Sequence, residues 1–368
     1  MRKEGLFIGH FSQVGASKNK AASIAGDLVQ LQIVRESERL LGKDFKYISM
    51  EPCQCWPKGP LWIKGGQVSG IGLFPPLLNL PVLKGLLFAI FVSFYILKLK
   101  PNYIVQYNSY LFENISILLA SRVVKAKAAI VVQDVRFGSA FSKIASLYDY
   151  ISNGFVRYFD LVVPVSEKLA NYLKLSPEQY FLFLGGITEP GLKMLEFERH
   201  TENYAVFAGA LEPHNGIDRL LSVWADASIG IELHIFGRGS LSETVKKFAS
   251  KNKNIIYHGF LPQQDVASWQ AAAKFNICLR YNEGLEEEYF FPSKLFNIAC
   301  CPGLLVCNEF KNLPDLFSNE LGVLRNDLSN LVALQNVNDN DVVESAGIRR
   351  MLVTRQYSWK ETLKKIYS

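Results

Sequence analysis

Short apolar runs rich in β-branched and aromatic residues alternate with helix-length stretches, and the alternation occurs twice along the chain. This rhythm predicts parallel strands joined by helical crossovers, because parallel neighbours need a long connection. In the first half the strand-like runs are Leu6 to Phe11, Phe45 to Met50, Tyr103 to Tyr107, Ala128 to Gln133, Leu161 to Val165 and Tyr180 to Leu184. Helices fit between them over Lys20 to Leu41, Leu111 to Val124 and Phe141 to Phe159. The segment Gly185 to Arg199 breaks the rhythm with glycine, proline and charge and reads as a linker. Strand-like runs resume at Ala205 to Ala208, Glu232 to Phe236, Ile255 to His258, Phe275 to Leu279 and Leu304 to Cys307.

A chain of 368 residues, 49% hydrophobic, exceeds one ordinary core. The expected class is α/β, with two Rossmann-like doubly wound domains and ligands at the strand carboxyl ends, in the cleft between them. The predicted bounds are 1–188 and 200–350, followed by a terminal segment, 351–368, whose closing stretch YSWKETLKKIYS suits an amphipathic helix.

The formal charge is +6, and the basic excess lies wholly within residues 1–190. That asymmetry favours an anionic surface or substrate in the first half. The most apolar stretch, Pro81 to Leu99, has its uncharged part at 85–97, about 20 Å as a helix against a hydrocarbon core of roughly 30 Å. It is therefore too short to cross a membrane. It is either a buried helix or one lying in the interface through Leu86, Phe88, Phe91 and Phe94, flanked by lysines. The start, MRKEGLFIGHF, passes directly into a strand-like run without a signal-peptide core, and the six cysteines form no disulfide framework. Both points favour a cytoplasmic chain with free thiols.

Residues 288 to 308, EYFFPSKLFNIACCPGLLVCN, run from an acidic, aromatic loop into a short helix and a buried strand. Ser293, Lys294 and free backbone N–H groups are thus expected at a helix N-terminus, where a phosphate-bearing ligand is favoured. No GxxxxGK[ST], HExxH, paired CxxC or GxSxG pattern occurs. Asp339-Asn340-Asp341 imitates a metal-binding D-x-D but precedes a helix-like run and reads as its N-cap region. Metal independence, with no cofactor, is the expectation.

AVFAGALEPHNGIDRLL, LHIFGRGSL, IIYHGFLPQQDV and the PSK segment follow in order over roughly residues 203 to 310. In that order they resemble the donor half of retaining GT-B glycosyltransferases of the group 1 family, which build bacterial surface polysaccharides. The resemblance places Gly209 and Gly239 against the donor, but Ala210 and Asn215 stand where family members often carry arginine and lysine. Neutralising a pyrophosphate then falls to Arg238, Arg280 and Lys294, although either arginine can equally be a solvated strand-end charge. Glu283 and Glu288 lie in the loop where the family holds sugar hydroxyls, and Leu295 follows the lysine. Asn297 replaces the glutamate that grips the ribose.

On the acceptor side, HFSQVGASKNK from His10 to Lys20 carries Gly15 and Ser17 after the first strand. Gly15 either admits a sugar or serves only its turn. Gln133 departs from a family histidine, while Asp134 beside it either orients the acceptor hydroxyl or caps the next helix. Implied catalytic residues are Asp134, Glu283 and Lys294. The implied partners are a nucleotide diphosphate sugar and a glycan or lipid-linked acceptor at the inner face of the plasma membrane, reached through the N-terminal domain, with no nucleic acid. The implied reaction retains configuration, the hydroxyl proton passing to the leaving phosphate. A rival reading is a catalytically inactive binding subunit of a polysaccharide assembly, because Ala210, Asn215 and Asn297 all lack the charge usual at their positions.

Overall fold

The computed structural model describes residues 4–12, 23–135, 143–198, 202–226, 229–281, 289, 291–311, 313–318 and 322–368. The chain divides into two compact units: Met1–Gly185 with Trp359–Ser368, and Gly186–Ser358.

In the first unit the strands are β1 (Gly5–Gly9), β2 (Phe45–Ser49), β3 (Trp62–Ile63), β4 (Gly66–Val68), β5 (Gly72–Phe74), β6 (Leu77–Leu78), β7 (Tyr103–Tyr107), β8 (Lys127–Val132) and β9 (Leu161–Pro164). Seven form one sheet ordered β4-β5-β2-β1-β7-β8-β9, parallel except for the β4–β5 pair, while β3 and β6 pair separately. Its helices are α1 (Ile24–Leu41), α2 (Leu83–Leu99), α3 (Leu111–Val124), α4 (Lys143–Phe155) and α5 (Glu167–Tyr172). Strand order reverses between β1 and β7, which defines a switch point where the two exit loops diverge.

The run Tyr180 to Leu184, expected as a strand, makes only one bridge, between Tyr180 and Val162. The amides of Phe181 and Phe183 donate to Val162 and Pro164 carbonyls, but Pro164 has no N–H to return a bond. The ladder stops there. β5, by contrast, has no apolar run to announce it, and Gly72 is required because a Cβ would come within 2.1 Å of the Tyr47 ring.

The second unit holds α6 (Glu189–Met194), β10 (Glu202–Ala208), α7 (Ile217–Asp226), β11 (Glu232–Phe236), α8 (Ser242–Lys251), β12 (Ile255–Gly259), α9 (Gln263–Ala272) and β13 (Ala273–Cys278). It continues through α10 (Lys294–Ile298), β14 (Leu304–Asn308), α11 (Asp315–Ser318), β15 (Val323–Leu324) and α12 (Asp339–Gln356). The parallel sheet runs β12-β11-β10-β13-β14-β15, the Rossmann order, with its switch point between β10 and β13. Leu220, Leu221, Trp224, Leu233, Phe275 and Val306 fill its core.

The interruption at 185–199 is itself partly helical, since α6 begins with Pro190 in its first turn. Asn338 caps α12 by accepting the Asp341 amide, and Asp339 pairs with Lys274 at 2.8 Å. The cap is thus Asn338, and the D-x-D string forms the first turn of α12 behind it. Residues 351–356 complete α12 within the second unit, whereas α13 (Trp359–Ile366) packs on α1 of the first. There Tyr367 bonds Ser37 at 2.8 Å, and Trp359 meets Phe183 edge-on at 4.8 Å.

The apolar stretch is α2, and the core and interface readings each hold for part of it. Phe88, Val92 and Ile96, spaced one turn apart, are buried, so Phe88 is a core residue rather than an interfacial one. Phe94 is 69% exposed, and Leu86, Ile90, Phe91 and Leu97 are exposed beside it. Among the described residues no helix is long and apolar enough to cross a membrane. The six cysteines are free thiols, and burial pushes Cys300 and Cys301 up to about 12.

Candidate functional sites

In the second unit the glycine turns after β10 and β11 pack against each other. Gly209 donates to the Phe236 carbonyl at 3.0 Å, and Leu211 to that of Arg238 at 3.1 Å. A Cβ on Gly237 would sit 1.8 Å from the Gly209 oxygen, and one on Gly239 would sit 2.4 Å from that of Leu211. Both glycines are thus demanded by backbone approach, at a φ of 143° in Gly237. Glu212 fastens the pair by accepting the Ser240 amide and hydroxyl, which hold its carboxyl below the usual range. Buried Asn215 donates to Ala210 at 2.9 Å, so the residue lacking the expected charge braces the turn instead.

Lys294 stands at the switch point. Its ammonium lies 5.2 Å from the centre of the Phe207 ring on β10, and a Cβ on Gly209 would approach Nζ to 3.2 Å. Part of the lysine stem reaches solvent, but Nζ does not, and among the described residues it has no hydrogen-bond partner. Burial pulls its pKa below the ordinary lysine range, with Cys278 opposing and Arg280 adding to the shift. Arg280 is set by Asn308, which accepts its amide at 2.7 Å and donates to its carbonyl at 2.9 Å. A buried ammonium beside a second cation is a strong attractor for an anion, because burying an unpaired charge is costly.

Other expected donor residues fall differently. α10 has only five residues, and Ser293 makes no side-chain cap, so the anion site rests on Lys294 rather than on a helix terminus. Leu295 is fully buried, and its amide is bonded to Pro292. Asn297 accepts the Thr188 amide at 2.9 Å and donates to its hydroxyl at 2.8 Å, so it secures the segment before α6. Exposed Arg238 lies over the Phe260 ring at 4.5 Å. Glu283 and Glu288 lie outside the described residues.

Missed by sequence reasoning, Arg349 of α12 is wholly buried and donates to the carbonyls of Ala299, Cys301 and Gly303 at 3.0, 2.9 and 2.7 Å. It ties off the turn after α10 and so supports Lys294 from behind. No motif marks it, because its three acceptors are backbone atoms far away in sequence.

The first unit has its own polar cavity, of about 220 Å³, at the β1/β7 switch point. His10, Asp27, Tyr107, Asn108, Asp134 and Asp149 are among its lining residues. The β1 exit is clamped by α1: Gln30 accepts the His10 amide at 2.7 Å and donates to its carbonyl at 2.9 Å, and Asp27 accepts the Ser12 amide at 3.1 Å. Burial raises Asp27 to about 6 against the lowering bond from Ser12, with nearby Glu51 raising it further. His10 Nε2 lies 2.8 Å from Glu113 Oε2 on α3.

Asp134 lines this cavity as an exposed carboxylate, its amide bonded to Asn108. Gln133 turns inward and donates to Phe183, so its side chain is structural and not on the acceptor side. Gly15 and Ser17 lie outside the described residues. His10, Asp27 and Glu113 were overlooked because their residues are far apart in sequence and form no motif.

Residues 195–322 match the family model described as glycosyl transferases group 1. Solved structures similar over 99% of this chain include HepE from Anabaena in complex with UDP, with 98% of that chain covered, 11% identity and a TM-score of 0.66. Sucrose-phosphate synthase from Thermosynechococcus elongatus is covered to 98%, at 13% identity and a TM-score of 0.67. The lipopolysaccharide outer core galactosyltransferase WaaB, in its apo form, is covered to 98%, at 10% identity and a TM-score of 0.60. No curated protein matches the chain. The fold is that of GT-B glycosyltransferases, and the match to the group 1 family model falls on residues 195–322.

Proposed function

We propose that the protein transfers a hexosyl group from a nucleotide diphosphate sugar to a glycan hydroxyl, with retention of configuration, during surface polysaccharide synthesis. The observation that carries this reading is Lys294: a solvent-shielded ammonium without a hydrogen-bond partner among the described residues, at the switch point of a sheet within the stretch that matches the group 1 family model. HepE has been solved with UDP, which supports a uridine donor as the first to try. Lys294 and Arg280 would take charge from the departing pyrophosphate as the glycosidic bond breaks, in a site already oriented for it. Gly209 and Gly239 would let the donor approach the backbone. The chain's own residues supply these roles without metal.

The acceptor belongs to the first unit in this reading, where Asp134 would orient its hydroxyl. The apolar outer face of α2, with exposed Lys98 and Lys100 at its end, supports a lipid-linked acceptor and a peripheral position on the cytoplasmic side of the membrane. The test of the main reading is thermal stabilisation by UDP, GDP and their sugars. A ligand at 100 times its Kd should add about 2.7 kcal/mol. No shift across the panel would favour an inactive binding subunit, the reading that the structural use of Asn215 and Asn297 supports.

A further inference from the structure

Two histidines of the second unit meet end to end beside the glycine turns after β10 and β11. His234 of β11 is 6% exposed, and its Nδ1 lies 2.9 Å from Nε2 of His258 on β12. The ring planes differ by 11° and the ring centres are 5.1 Å apart, so both nitrogens lie close to the line joining the rings. That alignment suits one proton held between them and not a metal ion, which two lone pairs would have to meet at an angle. On its other side His234 Nε2 lies 3.3 Å from Glu232 Oε2. An ionised carboxylate only accepts, so with both rings neutral the protons run one way: His258 Nε2–H donates to His234 Nδ1, and His234 Nε2–H to Glu232. A β-bulge puts His258 in place. Ile235 pairs with Tyr257 but Phe236 with Gly259, which leaves His258 as the extra residue. Its ring stacks on Phe236 at 4.5 Å and 5°, and Trp269 of α9 lies against His234 and His258 at 4.6 and 4.9 Å. The backbone of the same bulge holds the turns: the Phe236 carbonyl accepts the Gly209 amide at 3.0 Å, and the Gly259 carbonyl accepts the Gly237 amide at 2.8 Å.

We propose that His234 and His258 are positioning residues for the donor turns and form a proton-operated latch, which opens when both rings are charged and so weakens nucleotide binding in acid. The identity of the ligand rests on the glycosyl-transfer reading above. One added proton is tolerated, because a charged ring still bonds to a neutral one, whichever carries it. A second sets N–H against N–H across the 2.9 Å gap and two like charges side by side, so the bond is lost. His234 is buried, and water does not readily replace its partner. The bulge then loses the contact that fixes it, and with it the Gly259 carbonyl that holds Gly237. Burial, with the charge of His234 adding, keeps His258 below the ordinary 6.5. Its contribution to stability is therefore present above pH 6.5 and lost as pH falls through the lower folded value. The other titratable groups on the strands and helix around the pair are Glu202 and Tyr204 on β10, Glu232 on β11, Tyr257 on β12 and Asp265 on α9.

The first measurement needs no ligand. In nitrogen-15 spectra of histidine-labelled protein, assigned through His258→Gln, a coupling across the bond between His258 and His234 should be present at neutral pH, survive the first proton and vanish with the second. Hydrogen exchange of the Gly237 amide, corrected for its intrinsic pH dependence, should quicken about tenfold in that same step. A coupling that persists until the whole protein unfolds, rings that titrate without one, or a Gly237 amide indifferent to the step would each overturn the proposal. The second measurement compares UDP and GDP affinities by calorimetry on either side of that step, in the parent, His258→Gln and His258→Phe. Glutamine keeps an N–H for His234, phenylalanine keeps the stack on Phe236, and neither can be charged. The parent should weaken about tenfold more in acid than either variant, the worth of one hydrogen bond. Titration of the nucleotide and of every other group is common to all three proteins, so an equal pH dependence would refute the coupling. If neither nucleotide binds the parent at any pH, the transferase reading fails and the coupling to the donor with it, while Gly237 exchange still decides whether the pair holds the turn.

Discussion

Burial next to Arg280, with no acceptor for its protons among the described residues, costs the free protein at Lys294 and would suit the same ammonium to a pyrophosphate. Lys294→Met keeps the stem and removes the charge. We expect the unliganded protein to gain on the order of 1 kcal/mol in urea unfolding, while nucleotide affinity falls by one to two orders of magnitude in calorimetry. Unchanged affinity would remove Lys294 from the donor site. Asp27 carries a similar cost with a pH signature. Its folded pKa of about 6 exceeds the ordinary 3.8, so the folded state binds the proton more tightly. Its contribution to stability is therefore greatest below pH 3.8 and is lost as pH rises through 6. Asp27→Asn should stabilise the protein at pH 7 by roughly 1 to 3 kcal/mol and remove this loss between pH 4 and 6, checked by denaturant titration across that range. Residues of this kind were only partly legible in sequence. The PSK motif displayed Lys294 and a strand end displayed Asp134, whereas His10 and Glu113 signify nothing until folding places them 2.8 Å apart.

Elements were more legible than residues, because the alternation of apolar runs reports burial directly. Tyr103–Tyr107, Leu111–Val124 and Glu232–Phe236 form as the runs indicate. Where the reading failed, hydrogen-bond chemistry or a partner's shape intervened: Pro164 cannot extend the ladder beyond the Tyr180 bridge, and position 72 must be glycine because Tyr47 lies against it. For α2, one helix carries both a core stripe and an exposed apolar face, and hydropathy alone does not separate them. Replacing Leu86, Phe91 and Phe94 together by serine should abolish flotation with anionic liposomes and leave the fold intact, since these side chains are exposed. Added salt should weaken the parent's binding, each nearby lysine contributing about 1 kcal/mol. A parent that stays with the soluble fraction at low salt would refute the membrane role. Arg349 supports α10 from inside, and Arg349→Met would strand three carbonyls. A loss of about 3 kcal/mol in unfolding, with weaker nucleotide binding, is the expected result.

At the scale of the whole molecule, the first unit is discontinuous in sequence. Trp359, Leu363, Ile366 and Tyr367 are all buried, and α13 lies on α1, more than three hundred residues earlier in the chain. Each such side chain contributes roughly 2 kcal/mol when fully buried. A chain ended at Ser358 should therefore lose several kcal/mol from the first unit and leave the second nearly unchanged. Two separated unfolding transitions, or selective proteolysis of residues 4–185, would show it; a single unshifted transition would contradict it. The two units also differ in when they can be finished. Domains generally fold as the ribosome releases them, the earlier-made one first. Here the first-made sheet still lacks its closing helix when the second sheet is already fully synthesised. Translation order and completion order are thereby reversed. Until α13 is released, the half of the protein bearing the apolar α2 face and the His10 cavity waits as a nascent intermediate, so a message cut short before Trp359 yields no finished first unit.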